Sequence, residues 1–360
     1  MARVTALENR RLARSGGDPL AEKRKAEAAL RLSQNIPTFS EAIDGCLEVL
    51  GPEFTSAIYR KQWRAALCQH AVPLLGKLPV DQIDANDVLA VLKPIWIEKT
   101  ETARRLRRRI EAVLRWATSE GYREGENPAR WKDNLEGRLP RPGKVAKSAH
   151  YPAVQLSELP DWWSDLHQRD GRAARALEFL ALTAVRSGEV RGMTWGEVDL
   201  DERNWIVPPA RTKTKREHRV PLSNAAHKAL SALARMDGSE IVFPAPMGGM
   251  LSDMSISAVM RRMHAAAVKS GGTGYLDRQS ERPAVPHGLR SSFRDWVAER
   301  TSYPGEMAEV ALAHKISNSV EAAYRRGDQM EKRRHMMEAW AQFLEGMGGS
   351  DVIPIKMVRI

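Results

Sequence analysis

A stretch of Pro, Gly and basic residues, Asp133-Asn-Leu-Glu-Gly-Arg-Leu-Pro-Arg-Pro-Gly-Lys-Val-Ala-Lys-Ser-Ala-His150, interrupts the chain and constrains its folding more than any other feature. Such a segment propagates neither helix nor strand and reads as an extended, charged linker over 132–152. The chain therefore folds as separate units on either side of it. The 360 residues are enough for two or three domains, each with a core that needs no disulfide or metal staple.

Before the linker the pattern is helical throughout. Residues 1–34 form a basic helical segment, with Arg10, Arg11, Arg14, Lys23, Arg24, Lys25 and Arg31 among Ala and Leu. A helical domain follows over 36–131. Thr38-x-x-Glu41 is a capping-box pattern that opens its first helix. Breaks at Gly51-Pro52, Gly76, Pro79 and Gly121 predict helices over 38–50, 55–75, 84–96 and 100–120. The last carries Arg104, Arg105, Arg107, Arg108, Arg109 and Arg115. A solvated face would explain these charges, but their density favours contact with phosphates.

After the linker, 153–346 reads as a mixed domain, followed by a tail over 347–360. Three helices over 156–168, 173–183 and 187–193 precede a β-hairpin of 204–208 and 218–222. Helices resume over 225–235, 255–268, 287–300, 307–312, 319–324 and 330–344. The fold class is mainly α with a small β-hairpin or sheet.

The charge balance points to a polyanion. Lys plus Arg number 56 against 45 Asp plus Glu, a net +11, which suits nucleic acid. The two cysteines, Cys46 and Cys68, make neither a zinc module nor a disulfide framework and suit a reducing cytoplasm. The N-terminus lacks an apolar signal core, and the most apolar stretch, 176–185, is too short to span a bilayer. No nucleotide-binding P-loop, no H-E-x-x-H and no acidic cluster for two metals occurs; Gly137 to Gly143-Lys144 misses the P-loop spacing by one residue. An enzyme with this sequence would act on phosphate with neither cofactor nor metal.

One ordered set offers such chemistry. Arg186 begins a helix in Thr183-Ala-Val-Arg-Ser-Gly-Glu189. Lys213 stands at the hairpin tip, with Lys215 and Arg216 beside it as candidate nucleic-acid contacts. His287-Gly-Leu-Arg290 puts two side chains one helical turn apart. His314 and then Tyr324 follow. Singly, each has an ordinary structural explanation; the joint order sets them apart.

This order resembles the tyrosine recombinases, or phage integrases, above all those of temperate phages, satellite phages and genomic islands. The segments TAVRSGEVRGMTW (183–195), TKTKREHRVPLS (212–223) and VPHGLRSSFRDWVAERTSYPGEMAEVALAHKISNSVEAAYRRGD (285–328) carry the likeness. EKRRHMMEAWAQFLEG (331–346) resembles the end of that subgroup's catalytic domain, and 38–131 more weakly resembles its core-binding domain. The resemblance implies a site-specific recombinase that integrates and excises a prophage or genomic island through a 3′-phosphotyrosine intermediate.

It also implies a role for each residue. Tyr324 is the nucleophile, and His287 helps take its proton. Arg186, Arg290 and His314 bind the phosphate; Lys213, in preference to Lys215, protonates the leaving 5′-oxygen; Glu189 orients its neighbours. The implied partners are double-stranded attachment sites and three further copies in a homotetramer on DNA, with the two domains clamping the duplex. A requirement for an excisionase or directionality factor and for a DNA-bending host protein stays open. The implied location is the bacterial cytoplasm, on the nucleoid when DNA-bound. Two features depart from the pattern: Ala313 stands where a glycine is common, and residues 7–32 resemble only the closing helix of an arm-binding domain. A type IB topoisomerase-like enzyme and a decayed integrase that only binds DNA are the alternatives.

Overall fold

In the computed structural model, the structure describes residues 36–54, 56–145, 150–314 and 328–347, together with Arg14 and Asp18. The basic segment 1–34, apart from those two residues, lies outside the described residues, as do the helix expected over 319–324 with Tyr324 and the tail beyond Met347. The chain divides into two compact units, Met1–Ser148 and Ala149–Ile360.

The first unit is helical: α1 (Phe39–Leu50), α2 (Ala57–His70), α3 (Val72–Leu75), α4 (Ala85–Trp96) and α5 (Thr100–Ser119). Its caps are written in the sequence. Thr38 and Glu41 close a reciprocal capping box on α1, and Asp84 with Asp87 does the same on α4. The helix expected over 55–75 is instead two. Pro73 has no N–H to donate to the preceding turn, so the chain kinks at Ala71. On α5, Ala103, Leu106, Ile110, Val113, Leu114 and Ala117 recur every three or four residues and are buried. They meet Phe39, Ile43, Leu67, Val88 and Leu92 from the other helices.

The linker reading is corrected in its first half. Leu135 and Leu139 are buried in this same core, and the Trp96 indole donates to the Pro140 carbonyl at 2.9 Å. Apolar side chains three to four residues apart hold a Pro- and Gly-rich segment down, which its composition conceals.

The second unit holds α6 (Leu159–His167), α7 (Arg172–Thr183), α8 (Ser187–Arg191), β1 (Val198–Asp199), β2 (Asn204–Val207), β3 (His218–Pro221), α9 (Asn224–Ser231), α10 (Asp253–Lys269), α11 (Gly288–Arg300), α12 (Gly305–Ala311) and α13 (Met330–Leu344). The strands form one antiparallel sheet in the order β1-β2-β3, with Trp205 opposite Val220 and Val207 opposite His218. β1 has only two residues, too few for an alternating pattern to reveal it.

Helix α7 runs through the core, buried over most of its length. α13 closes it with Met336, Met337, Trp340 and Leu344. The Trp340 ring meets Phe293 edge-on at 5.4 Å, and its N–H donates to the Ala181 carbonyl at 2.7 Å. Among the described residues, no helix is long and apolar enough to cross a membrane.

One glycine is dictated by close approach. A Cβ on Gly288 would lie 1.9 Å from the Pro152 carbonyl oxygen and 2.8 Å from the Ala153 Cα. That carbonyl accepts from the Val285 N–H at 3.0 Å, so the strap 150–154 is docked just where α11 begins. Gly288→Ala should therefore destabilise the unit by about 1–3 kcal/mol, the usual cost of forced overpacking. Denaturant midpoints of wild type and variant check this; equal midpoints would mean that the strap yields freely.

Candidate active site

Two left-handed turns build the floor of the site. Ala184, after α7, has φ of 52°, and Ala313, after α12, has φ of 48°. A non-glycine residue there costs on the order of 1 kcal/mol. Both turns aim carbonyls inward. Arg290, only 5% exposed, donates through one terminal nitrogen to the Ala184 carbonyl at 2.7 Å and through the other to Leu312 at 2.7 Å. Arg186 donates to the Ala313 carbonyl at 3.2 Å. The left-handed φ at Ala313 also accounts for the glycine common at that position in the resembling family.

Arg186 is the N-cap of α8, and Glu189 one turn on is its carboxylate partner. Glu189 is 2% exposed and accepts both from the Arg186 backbone N–H and from its guanidinium, each at 3.0 Å. The arginine is thus aimed by a buried carboxylate. A guanidinium has five N–H groups, so further donors remain on Arg186 after these bonds.

His287 and Arg290 open α11, at its N-cap and within its first turn. Tyr151 lies against the His287 ring at 4.2 Å between centroids. Desolvation, then the charges of Arg290, Arg186, His314 and Lys213, hold the His287 pKa down to about 4. The ring is therefore neutral near pH 7 and able to accept a proton. Burial and the neighbouring Arg186 charge lower Arg290 to about 10, which leaves it cationic at neutral pH. His314 completes the set. Its Nε2 lies 3.0 Å from an Arg290 terminal nitrogen, and its Nδ1 lies 2.6 Å from Glu309. His287, Arg290 and His314 line one cleft of about 830 Å³, with His150, Tyr151 and Asp295 on its wall.

Lys213 is exposed in the loop between β2 and β3, as are Lys215 and Arg216. Buried Thr212 ties that loop, accepting from the Arg216 N–H at 3.1 Å and donating to its carbonyl at 2.7 Å. Lys215 takes a left-handed φ of 58°. Arg211 anchors the loop to α8, donating to the Glu189 carbonyl at 3.0 Å and pairing with Glu197. Tyr324 lies outside the described residues.

Sequence reasoning missed Arg211, Glu309, His218 and Arg333. Arg333, 1% exposed, donates to the carbonyls of Arg219 and Asp328, each at 2.7 Å, and so ties β3 to the start of α13. His218, 7% exposed, faces Val207 across the sheet. Its ring nitrogens have no hydrogen-bond partner among the described residues; the Val310 backbone, close enough to favour the charged ring, stands outside hydrogen-bond geometry. Burial, then the Arg333, Arg290 and Arg186 charges, push His218 down to about 3. An unfolded histidine titrates near 6.5, so this site stabilises the fold above about that pH and the effect is lost as pH falls toward 3. His218→Leu should flatten the acid loss of urea stability between those limits by an amount on the order of a few kcal/mol. Parallel curves for the two proteins would contradict it.

The arginine-rich helix α5 does not present one uniform face. The expectation for Arg107 is corrected. Its guanidinium turns inward to Glu111 at 2.7 Å and the Ala129 carbonyl at 2.6 Å, with 12% of the side chain exposed. Arg104 and Arg105 share Glu101, and Arg109 donates to the Gln62 carbonyl at 3.2 Å. Arg108 and Arg115 are exposed and, among the described residues, have no ion pair.

The family described as Phage integrase central domain matches residues 39–134, and the Phage integrase family matches 155–331. This chain belongs to the phage integrase family. It is a tyrosine-type site-specific recombinase, and the topoisomerase-like and binding-only readings are not favoured. It is 29% identical to the prophage integrase IntZ of Escherichia coli (strain K12) over 99% of this chain and 83% of that one. It is 30% identical to the integrase of Enterobacteria phage P4, over 76% of this chain and 62% of that relative's length. The solved structure of a lambda integrase tetramer bound to a Holliday junction shares the fold, with a TM-score of 0.60 at 17% identity, covering 84% of this chain and 82% of that one.

Proposed function

We propose that this recombinase cuts and rejoins DNA at an element's attachment sites through a 3′-phosphotyrosine bond to Tyr324. The observation that carries the reading is the convergence of Arg290, His314 and His287 on one cleft, with Arg186 aimed beside them by Glu189. Attack on a phosphodiester builds negative charge on two non-bridging oxygens. Fixed cations with spare N–H groups, held in place before the substrate arrives, stabilise that charge. Arg186 and Arg290 supply them, and their inward bonds leave other donors for the phosphate.

Each proton has a destination. The Tyr324 hydroxyl gives its proton to neutral His287 as its oxygen bonds to phosphorus. Lys213 gives a proton to the departing 5′-oxygen; its charge already reaches His287. The new ester keeps the energy of the broken bond, so a 5′-hydroxyl from a partner duplex reverses the step and restores a backbone. Exchange between two duplexes takes four such sites, and the lambda integrase tetramer on a Holliday junction supports a homotetramer here.

Arg108 and Arg115, exposed on α5 and without an ion pair among the described residues, are the best placed of its arginines for phosphate contact, with salt-dependent affinity. Substrate DNA is the chromosome and a prophage or genomic island, which places the reaction in the bacterial cytoplasm. A directionality factor and a DNA-bending host protein are candidate accessory partners. The test is capture on a nicked suicide duplex of the element's junction. A band that resists denaturation supports the reading; DNA retained in a native gel with no such band would leave a binding-only protein.

A further inference from the structure

Glu309 lies five residues before His314, on α12, and its carboxylate holds two groups. One oxygen accepts from the Arg294 Nε at 2.7 Å, and the other faces the His314 Nδ1 at 2.6 Å. Across the ring, Nε2 lies 3.0 Å from an Arg290 terminal nitrogen. Arginine has donors and no acceptor, so the hydrogen between them belongs to Arg290 and the lone pair to Nε2. The ring proton is then on Nδ1 and is given to Glu309. The opposite tautomer would set a lone pair against a carboxylate and an N–H against an N–H.

The anchor is itself anchored. Burial works against the Glu309 carboxylate, but hydrogen bonds from Arg294 and His314 outweigh it and hold its pKa below the usual range. Glu309 is therefore a fixed anion at neutral pH. The chain folds this way because α12 ends at Ala311 and the left-handed Ala313 swings the next residue back along the helix; the His314 N–H donates to the Glu309 carbonyl at 2.9 Å.

We propose that Glu309 is a positioning residue for strand cleavage: it fixes His314 as the Nδ1–H tautomer, with Nε2 turned toward Arg290 in the cleft. This rests on the recombinase reading, in which His314 meets the scissile phosphate. While Nε2 accepts from Arg290 it has no proton to give. A phosphate oxygen that draws the Arg290 N–H away frees Nε2, which then binds one proton from solvent, keeps it, and hydrogen-bonds the phosphate through it. Glu309 faces the resulting imidazolium. The carboxylate thus bars a simple tautomer swap and balances the charge that replaces it.

The test uses the full chain with ¹⁵N-labelled histidine. Long-range ¹H–¹⁵N spectra distinguish the two tautomers, and His314→Gln assigns the signal. Wild type should show Nδ1–H at His314. Glu309→Gln keeps an oxygen that accepts from Nδ1 and loses only the charge, so it should keep the Nδ1–H form, whereas Glu309→Leu, which leaves Nδ1 without that acceptor, should show a mixture with the Nε2–H form. In single-turnover capture on the nicked duplex, Glu309→Gln should be slower by roughly tenfold or more, the direction found when an orienting carboxylate is neutralised. DNA retention should change by less than about twofold. Glu309→Asp, which keeps the charge, should recover part of the rate. An Nε2–H ring in wild type, an unchanged tautomer in Glu309→Leu, or capture at the wild-type rate in Glu309→Gln would each overturn the proposal. Failure of wild type itself to capture DNA would instead sink the recombinase reading, and the spectra would still decide the tautomer.

Discussion

The Tyr324→Phe protein is expected to hold a nicked attachment-site duplex in a native gel and to give no covalent band in a denaturing one. The change removes one oxygen and leaves the charge set of the cleft intact. In the proposed mechanism phosphate contact by Arg186, Arg290 and the basic surface sets affinity, so retention should stay within about twofold of wild type. Capture should fall below detection, since phenylalanine has no oxygen to form the ester. A residual band in the variant would mean that another hydroxyl attacks, and Tyr151, whose ring lies against His287, would be the first to examine.

Arg290 should show the second large effect, on two quantities at once. Arg290→Ala strips the donors from the buried carbonyls of Ala184 and Leu312. Each unpaired carbonyl costs about 1–3 kcal/mol, partly offset because a desolvated cation is also removed. A net loss of roughly 2–4 kcal/mol would lower the melting temperature by about 5–10 °C for a unit of this size. Capture should fall by about a hundredfold or more from loss of one fixed donor to the phosphate. Arg290→Lys keeps the charge, but one ammonium cannot span two carbonyls that the forked guanidinium bridges. It should recover part of the stability and little of the rate. Thermal scans beside single-turnover capture measure both. A variant that melts like wild type would show that the turns at Ala184 and Ala313 stand without their bridging arginine.

Much of this arrangement was legible in the residues, for local reasons. The capping box at Thr38, and the helices of the first unit between their Gly and Pro breaks, depend on neighbours within one or two turns. The pairing of Arg186 with Glu189 is likewise three residues apart, and the hairpin places Lys213 by a short turn. What stayed hidden depends on long-range contacts or on special backbone. Arg107 reads as one more exposed cation until the carbonyl of Ala129, 22 residues on, is seen beside it. Arg333 is buried because β3, 114 residues earlier, offers it a carbonyl. Glu309 reaches His314 only because a non-glycine residue adopts a left-handed turn, which propensity argues against. The linker was misread because its two buried leucines are outnumbered by Pro, Gly and charge.

Attack by the Tyr324 hydroxyl leaves a mark that can be read on the captured complex. The captured wild-type complex is trimmed with nuclease, digested with trypsin and read by tandem mass spectrometry. Cleavage after Lys315 and Arg325 frees residues 316–325, a peptide with Tyr324 as its only tyrosine. A nucleotide joined through its 3′-phosphate to that tyrosine is the expected result. A nucleotide on any other residue, or a 5′-phosphate link, would contradict it.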